Sequence, residues 1–171
     1  VWFTNIDNVY ADMRFQQGQQ YTEGSNAGLQ QQIAGAEFYL DAIRMEPNQD
    51  FYYLSLGRTL MSIADIQRQT SGTLGAVKQD AQLRDLLQAE SAPAMLAKMQ
   101  PLEAMSYAQA VLDQAYKINP LNKDHSANLG RLHAYWYSRM DQDPAQLEEA
   151  LQWYQNSNAK APQDVVILNE Y

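Results

Sequence analysis

Two of the prolines in this chain are each followed, ten residues later, by the glycine of a Leu-Gly pair: Pro47 by Gly57 and Pro120 by Gly130. Proline stops a helix, because it lacks an N–H and disfavours helical backbone at the residue before it. A glycine inside an apolar stretch lets two helices approach closely, where a larger side chain would push the axes beyond about 8–10 Å. A fixed distance between stop and close approach therefore describes a chain of paired helices with a constant link. The complementary distances vary: Gly18 to Pro47 is 29 residues, Gly57 to Pro120 is 63, and Gly130 to Pro162 is 32. A 34-residue helical repeat would place the stop about 24 residues after the glycine. The segments inside the repeats have grown, the middle one most, while the link has not.

The rest of the chain is consistent with helices. In AGAEFYLDAIRME, Phe38, Ala42 and Met45 recur at spacings of three and four, beside Tyr39 and Ile43. MSYAQAVLDQAYKI and QLEEALQWYQ have the same character, and TEGSNAG, TSGTLG, ESAP and DQDP break the runs. Period-2 alternation and Asn-Gly or Asp-Gly turns are missing, so strands are not expected. With 171 residues, 46% of them hydrophobic, the chain can bury the core of one domain. It has no Cys, so neither disulfides nor thiolate chemistry enter, and the compartment is left open.

These residues resemble the tetratricopeptide (TPR) repeat, which carries Leu-Gly and an aromatic on helix A. Its helix B carries a small residue, an aromatic, an Ala and a closing Pro. The first repeat would contribute Gly18 and Tyr21, then Gly35, Tyr39, Ala42 and Pro47. The second has Tyr53, Leu56 and Gly57, then Ala108, Leu112, Ala115 and Pro120; the third has Leu129 and Gly130, then Ala150, Tyr154 and Pro162. Departures are Gln17 where Leu is usual, Ser157 where Ala is usual, and the enlarged second repeat. The resemblance implies an all-α fold of three helix pairs in a right-handed superhelical solenoid. Repeats would span about 9–47, 48–120 with a helical insertion at 70–101, and 121–162, with a partial capping helix at 163–171. The insertion is expected to be a dispensable excursion, with Leu83, Leu86, Leu87 and its methionines filling a satellite core.

A narrower resemblance lies in the wording of the repeats. ADMRFQQGQQY, EPNQDFYYLSLGRTL and above all NPLN.DH.ANL.RL are similar to the soluble TPR tail of bacterial O-antigen polymerase or ligase-like membrane proteins. This implies a non-catalytic interaction domain on the extracytoplasmic side of the membrane, with the glycan chemistry elsewhere in the parent protein. Residues 1–8, VWFTNIDN, would be the remnant of a membrane-proximal linker. The alternative is a free-standing cytoplasmic TPR adaptor.

Candidate chemistry is sparse. His125 and His133 are too far apart to hold one ion together, and HExxH, EF-hand and Gly-rich phosphate motifs are missing, so no catalytic residue, metal or cofactor is assigned. In DHS, Asp124 or Ser126 is expected to cap the next helix, as are Asp141 and Asp143 before Pro144. The net charge of −8 disfavours nucleic acid. By the TPR pattern, a ligand groove on the A helices would hold Phe15 and Gln19, then Phe51, Arg58 and Met61, then Asn128, Arg131 and Tyr135. Asp12, Leu54, Asp124 and Ala127 would flank it. Only Asn128 matches the Lys/Asn carboxylate clamp of chaperone-binding TPRs. Arg58 and Arg131 fall at equivalent positions of two repeats, on helix axes roughly 20 Å or less apart, and would offer two cations to an acidic peptide or an anionic glycan.

Overall fold

The computed structural model describes residues 2–24 and 27–163, with side chains from Asp7 onward. Among the described residues the chain is all-α, with no strand. Its helices are α1 (Trp2–Thr22), α2 (Leu29–Met45), α3 (Asp50–Ser71), α4 (Leu83–Gln88), α5 (Ala92–Lys98), α6 (Pro101–Ile118), α7 (Lys123–Arg139) and α8 (Pro144–Lys160). Residues 2–8, expected as a linker remnant, continue α1 as helix, and the expected capping helix falls almost wholly outside the described residues.

The prolines do what their chemistry demands. α2, α6 and α8 end two residues before Pro47, Pro120 and Pro162, at C-caps Glu46, Asn119 and Ala161. All three caps take the same backbone conformation, with φ near −140° and ψ of 85°, 77° and 69°. Each pre-proline residue has been pushed out of the helical region. Three helix ends thus share one geometry.

The longest packed interfaces join α1 to α2, α3 to α6, and α7 to α8. Gly18 faces Tyr39 while Gly35 faces Thr22; Gly57 faces Leu112 while Asp50 meets Asn119; Gly130 faces Tyr154 while Ser157 meets Lys123. In each pair early residues of one helix meet late residues of the other, so all three are antiparallel hairpins. The glycines on α1, α3 and α7 allow the crossing, and Tyr39, Leu112 and Tyr154 fill it. Ser157 is fully buried and donates its hydroxyl to the Lys123 carbonyl at 2.8 Å. The hairpins succeed one another through contacts of α2 with α3 and α6 with α7.

Two sequence expectations hold only in part. Tyr39, Ala42 and Ile43 of α2 are buried as expected, together with Ile33, Ala36 and Leu40, whereas Phe38 is half-buried and Met45 exposed. α7 is capped by Asn122, whose side chain accepts from the Asp124 amide at 3.0 Å, instead of by Asp124 or Ser126. Ser126 is fully buried and bonded to Asn156 and Lys160, so it has no free hydroxyl for capping. Asp143 caps α8 as expected.

The insertion is not a satellite. Leu86, Leu96 and Met99 lie in the same continuous core as Leu56, Ile63 and Leu112. α5 packs on α2 and α4 on α6, while Gln67 of α3 donates to the Leu96 carbonyl and Arg44 of α2 to the Leu87 carbonyl. Sequence distance concealed this, because the partner surfaces come from elements on either side of the excursion.

Candidate ligand groove

α1, α3 and α7 run side by side in the same direction. Asp12 accepts a hydrogen bond from the Tyr52 hydroxyl at 2.6 Å, Arg58 reaches Asn128, and Asp65 is hydrogen-bonded by Tyr135. A cavity of about 460 Å³ opens along this row of helices. Its floor and walls are Arg58, Met61, Ser62, Asp65 and Ile66 of α3, Tyr135 of α7, and Thr22, Gly24, Ala27 and Gln32 around the α1–α2 turn. A smaller cavity of about 180 Å³ adjoins it, sharing Thr22, Gln32, Arg58 and Ser62.

The expected groove residues do not all face the cavity. Arg58, Met61 and Tyr135 line the cavity. Phe15 and Phe51 do not; they form an aromatic cluster with Tyr39 and Tyr52, at centroid separations of 4.5–5.4 Å, near the start of α3. Gln19 bonds to Glu23 and lies outside the lining. Asn128 and Arg131 adjoin the cavity through Arg58. Asn128 is 3% exposed and Ala127 is fully buried, so neither offers a surface to a ligand.

The two arginines are not a spaced pair. Arg58 donates to Asn128 Oδ1 from Nε and Nη2, at 3.2 and 3.0 Å, and Arg131 Nη1 reaches the same oxygen at 3.5 Å. Arg58 on α3 and Arg131 on α7 lie on adjacent parallel helices, and the long side chains lean together onto one acceptor. Asn128 in turn donates Nδ2 to the Asp124 carbonyl at 2.6 Å, which fixes it as a strut.

The electrostatics favour Arg58. Asp65 is the one acid in the main lining, and burial alone would raise its carboxyl. Hydrogen bonds from Tyr135, Arg68 and Gln69, with the Arg68 charge, outweigh burial and hold it below the ordinary carboxylate range. Tyr135 is pushed up, by burial first and then by Asp65. Asp65 is thus committed to its neighbours. Arg58, the only cation of the lining, is exposed and forms no ion pair with a described residue. Sequence reasoning passed over Asp65, although Arg58, Met61 and Asp65 recur at three and four on one helical face. Thr22 and Gln32 had no such signal, since they arrive from another hairpin.

A polar knot lies where α3 meets the α6–α7 junction. Asp50 at the start of α3 accepts from Asn119 at 3.1 Å and pairs with the fully buried His125 at 2.8 Å. Burial would raise the Asp50 carboxyl, but these hydrogen bonds and the His125 charge hold it below the ordinary range. His133 belongs to a different junction, bonding Gln146 of α8 at 2.8 Å.

Among the described residues no three His, Asp or Glu side chains are grouped to hold a metal ion, and no helix is long and apolar enough to cross a membrane. Compared with known protein families, curated proteins and solved structures, the chain has no match in any of the three.

Proposed function

We propose that the chain is a non-catalytic, TPR-like interaction domain, a right-handed solenoid of three hairpins that receives an extended acidic segment of a partner protein along α1, α3 and α7. The observation that carries this reading is the open 460 Å³ cavity whose only lining cation, Arg58, has an amide for a partner and no carboxylate. Three equivalent crossings at Gly18, Gly57 and Gly130, and three equivalent pre-proline caps, support the repeat reading. A row of parallel helices is the usual ligand face of stacked helix-pair repeats. An anionic glycan presents the same charge and is the competing occupant.

The wording NPLN.DH.ANL.RL supports the narrower reading, that the domain is the extracytoplasmic tail of an O-antigen polymerase or ligase-like integral membrane protein. Four of its polar members act at one junction: Asn119 and His125 hold Asp50, Asn122 caps α7, and Asn128 holds Arg58. The full reading frame tests it. Several apolar spans of about 20 residues in the parent protein are expected; a frame without them favours the cytoplasmic adaptor.

The groove is tested by fluorescence anisotropy with labelled extended peptides rich in Glu and Leu, each beside its Gln analogue. The acidic peptide should bind, and should weaken as salt rises, since exposed charges are screened over about 8 Å at physiological ionic strength. Arg58→Ala should abolish the preference without lowering the melting temperature. Equal binding of both peptides, or an unchanged preference in Arg58→Ala, would overturn the assignment.

A further inference from the structure

We infer that the insertion builds a second binding site, for a small-molecule carboxylate with an apolar tail, in a cavity that shares no lining residue with the groove. This cavity measures about 530 Å³ and lies between the insertion and α6, with Tyr53 of α3 beneath it. That volume falls within the range of about 300–1,000 Å³ typical of small-molecule sites. Leu83 and Leu87 from the insertion face it as partly buried apolar side chains.

Charge decides the class of ligand. Arg84 stands on the insertion wall and Lys117 on the α6 wall; both are exposed, and neither makes a hydrogen bond or ion pair to a described residue. In a chain with 20 acidic and 12 basic residues, a cavity lined by two cations and one acid carries a net positive charge. Arg84 supplies the planar fork that matches a carboxylate, and Lys117 a point charge. The one acid in the lining, Asp113, lies close enough to Lys117 to feel its charge. Burial raises its carboxyl above the ordinary value, against the opposing charges of Lys117 and His133, and Glu149 adds to the rise.

The walls are formed in advance. Arg44 holds the Leu87 carbonyl at 3.1 Å, Tyr107 donates to Asp85 at 3.2 Å, and the Lys78 amide donates to Ser106 Oγ at 3.0 Å. The insertion is thereby fastened to α2 and α6 on both sides of Leu83–Leu87. A ligand entering here pays little for ordering the protein.

Octanoate is the probe, titrated calorimetrically into the whole chain beside octanamide, which lacks the charge, and acetate, which lacks the tail. Amide chemical shifts locate the binding. Octanoate should bind saturably, perturb α4 and the C-terminal half of α6, and exceed both analogues by at least about tenfold. Arg84→Gln and Lys117→Gln should each weaken it by about two- to fivefold, as expected for exposed charge pairs. The inference is overturned if octanamide matches octanoate, or if the double variant keeps full affinity. It is equally overturned if the shifts fall on α1, α3 and α7, or if an acidic peptide occupies this cavity and octanoate does not. The ligand comparison on the unaltered chain stands even where a variant fails to fold.

Discussion

At the hairpin crossings, a single methyl group is already too large. A Cβ added at Gly57 would lie 2.6 Å from Leu112 Cδ2, and one at Gly130 would lie 2.8 Å from Tyr154 Cδ1. Both sites are mid-helix, where Ala gains about 1 kcal/mol over Gly from propensity alone. Overpacking costs about 1–3 kcal/mol and should win. Gly57→Ala and Gly130→Ala should therefore both melt lower, and Leu at either position lower still. A rise in melting temperature would mean the crossings are loose. Asp50 makes a second residue-scale prediction. Its folded-state pKa is lowered, so the ionised form is the one the fold prefers. The stability it contributes is present above the ordinary Asp value near 4 and is lost as pH falls through the lowered folded value. Asp113 is shifted the other way, so the comparison must be between variants. Urea midpoints measured from about pH 6 down to 3 should fall less steeply in Asp50→Asn than in the parent chain. Parallel curves would show that ionisation of Asp50 adds no pH-dependent stability through the knot with His125 and Asn119.

The elements were legible where local chemistry acts on the chain itself. Pro47, Pro120 and Pro162 dictate helix ends through their own rings, and Gly57 and Gly130 mark crossings because no other residue fits there. The groove was legible along α3, where Arg58 and Met61 share a face, but not across it. That Arg58 and Arg131 meet at one Asn128 oxygen depends on how long side chains lean between helices, which repeat position does not specify. Phe15 and Phe51 have the spacing of groove residues, yet aromatic packing with Tyr39 and Tyr52 claims them. The insertion differs from its expectation for a similar reason: an amphipathic pattern says that Leu86 is buried, not that it belongs with Leu96 to the main core. Since both are fully buried in the main core, Leu96→Ala should cost about 2–5 kcal/mol in a urea melt. Excising residues 72–100 behind a short turn should leave a product without a cooperative transition. Retained helicity and a sharp melt in that product would restore the view of the insertion as dispensable.

At the scale of the whole molecule, the order of packing sets where the fold opens first. α3 and α6 form the middle hairpin; α3 packs on α2 and α7, α6 packs on α7, and the insertion packs on α2 and α6. Among the described residues each outer hairpin is packed on one side only, the α1–α2 hairpin against α3 and the insertion and the α7–α8 hairpin against α3 and α6, and each carries exposed apolar side chains, Val9, Tyr10 and Met13 on α1 and Leu147 and Leu151 on α8. In a stack of nearest-neighbour contacts, stability is a sum of hairpin and interface contributions, and a hairpin with one interface has one fewer to lose. Local opening should therefore start at the two ends and reach the centre last. Native-state hydrogen exchange should find the slowest amides around Leu56–Ile63 and Val111–Ala115. Those of α1 and α8 should open at free energies lower by on the order of 1 kcal/mol or more. Because Arg58 sits on the central hairpin while Thr22 and Gln32 belong to an outer one, the groove spans a stable wall and a more readily opened one. An acidic peptide bound there should slow exchange around the α1–α2 turn more than at Leu56–Ile63. Uniform protection across all three hairpins, with or without peptide, would mean that the chain opens only as one block and that no wall of the groove moves independently.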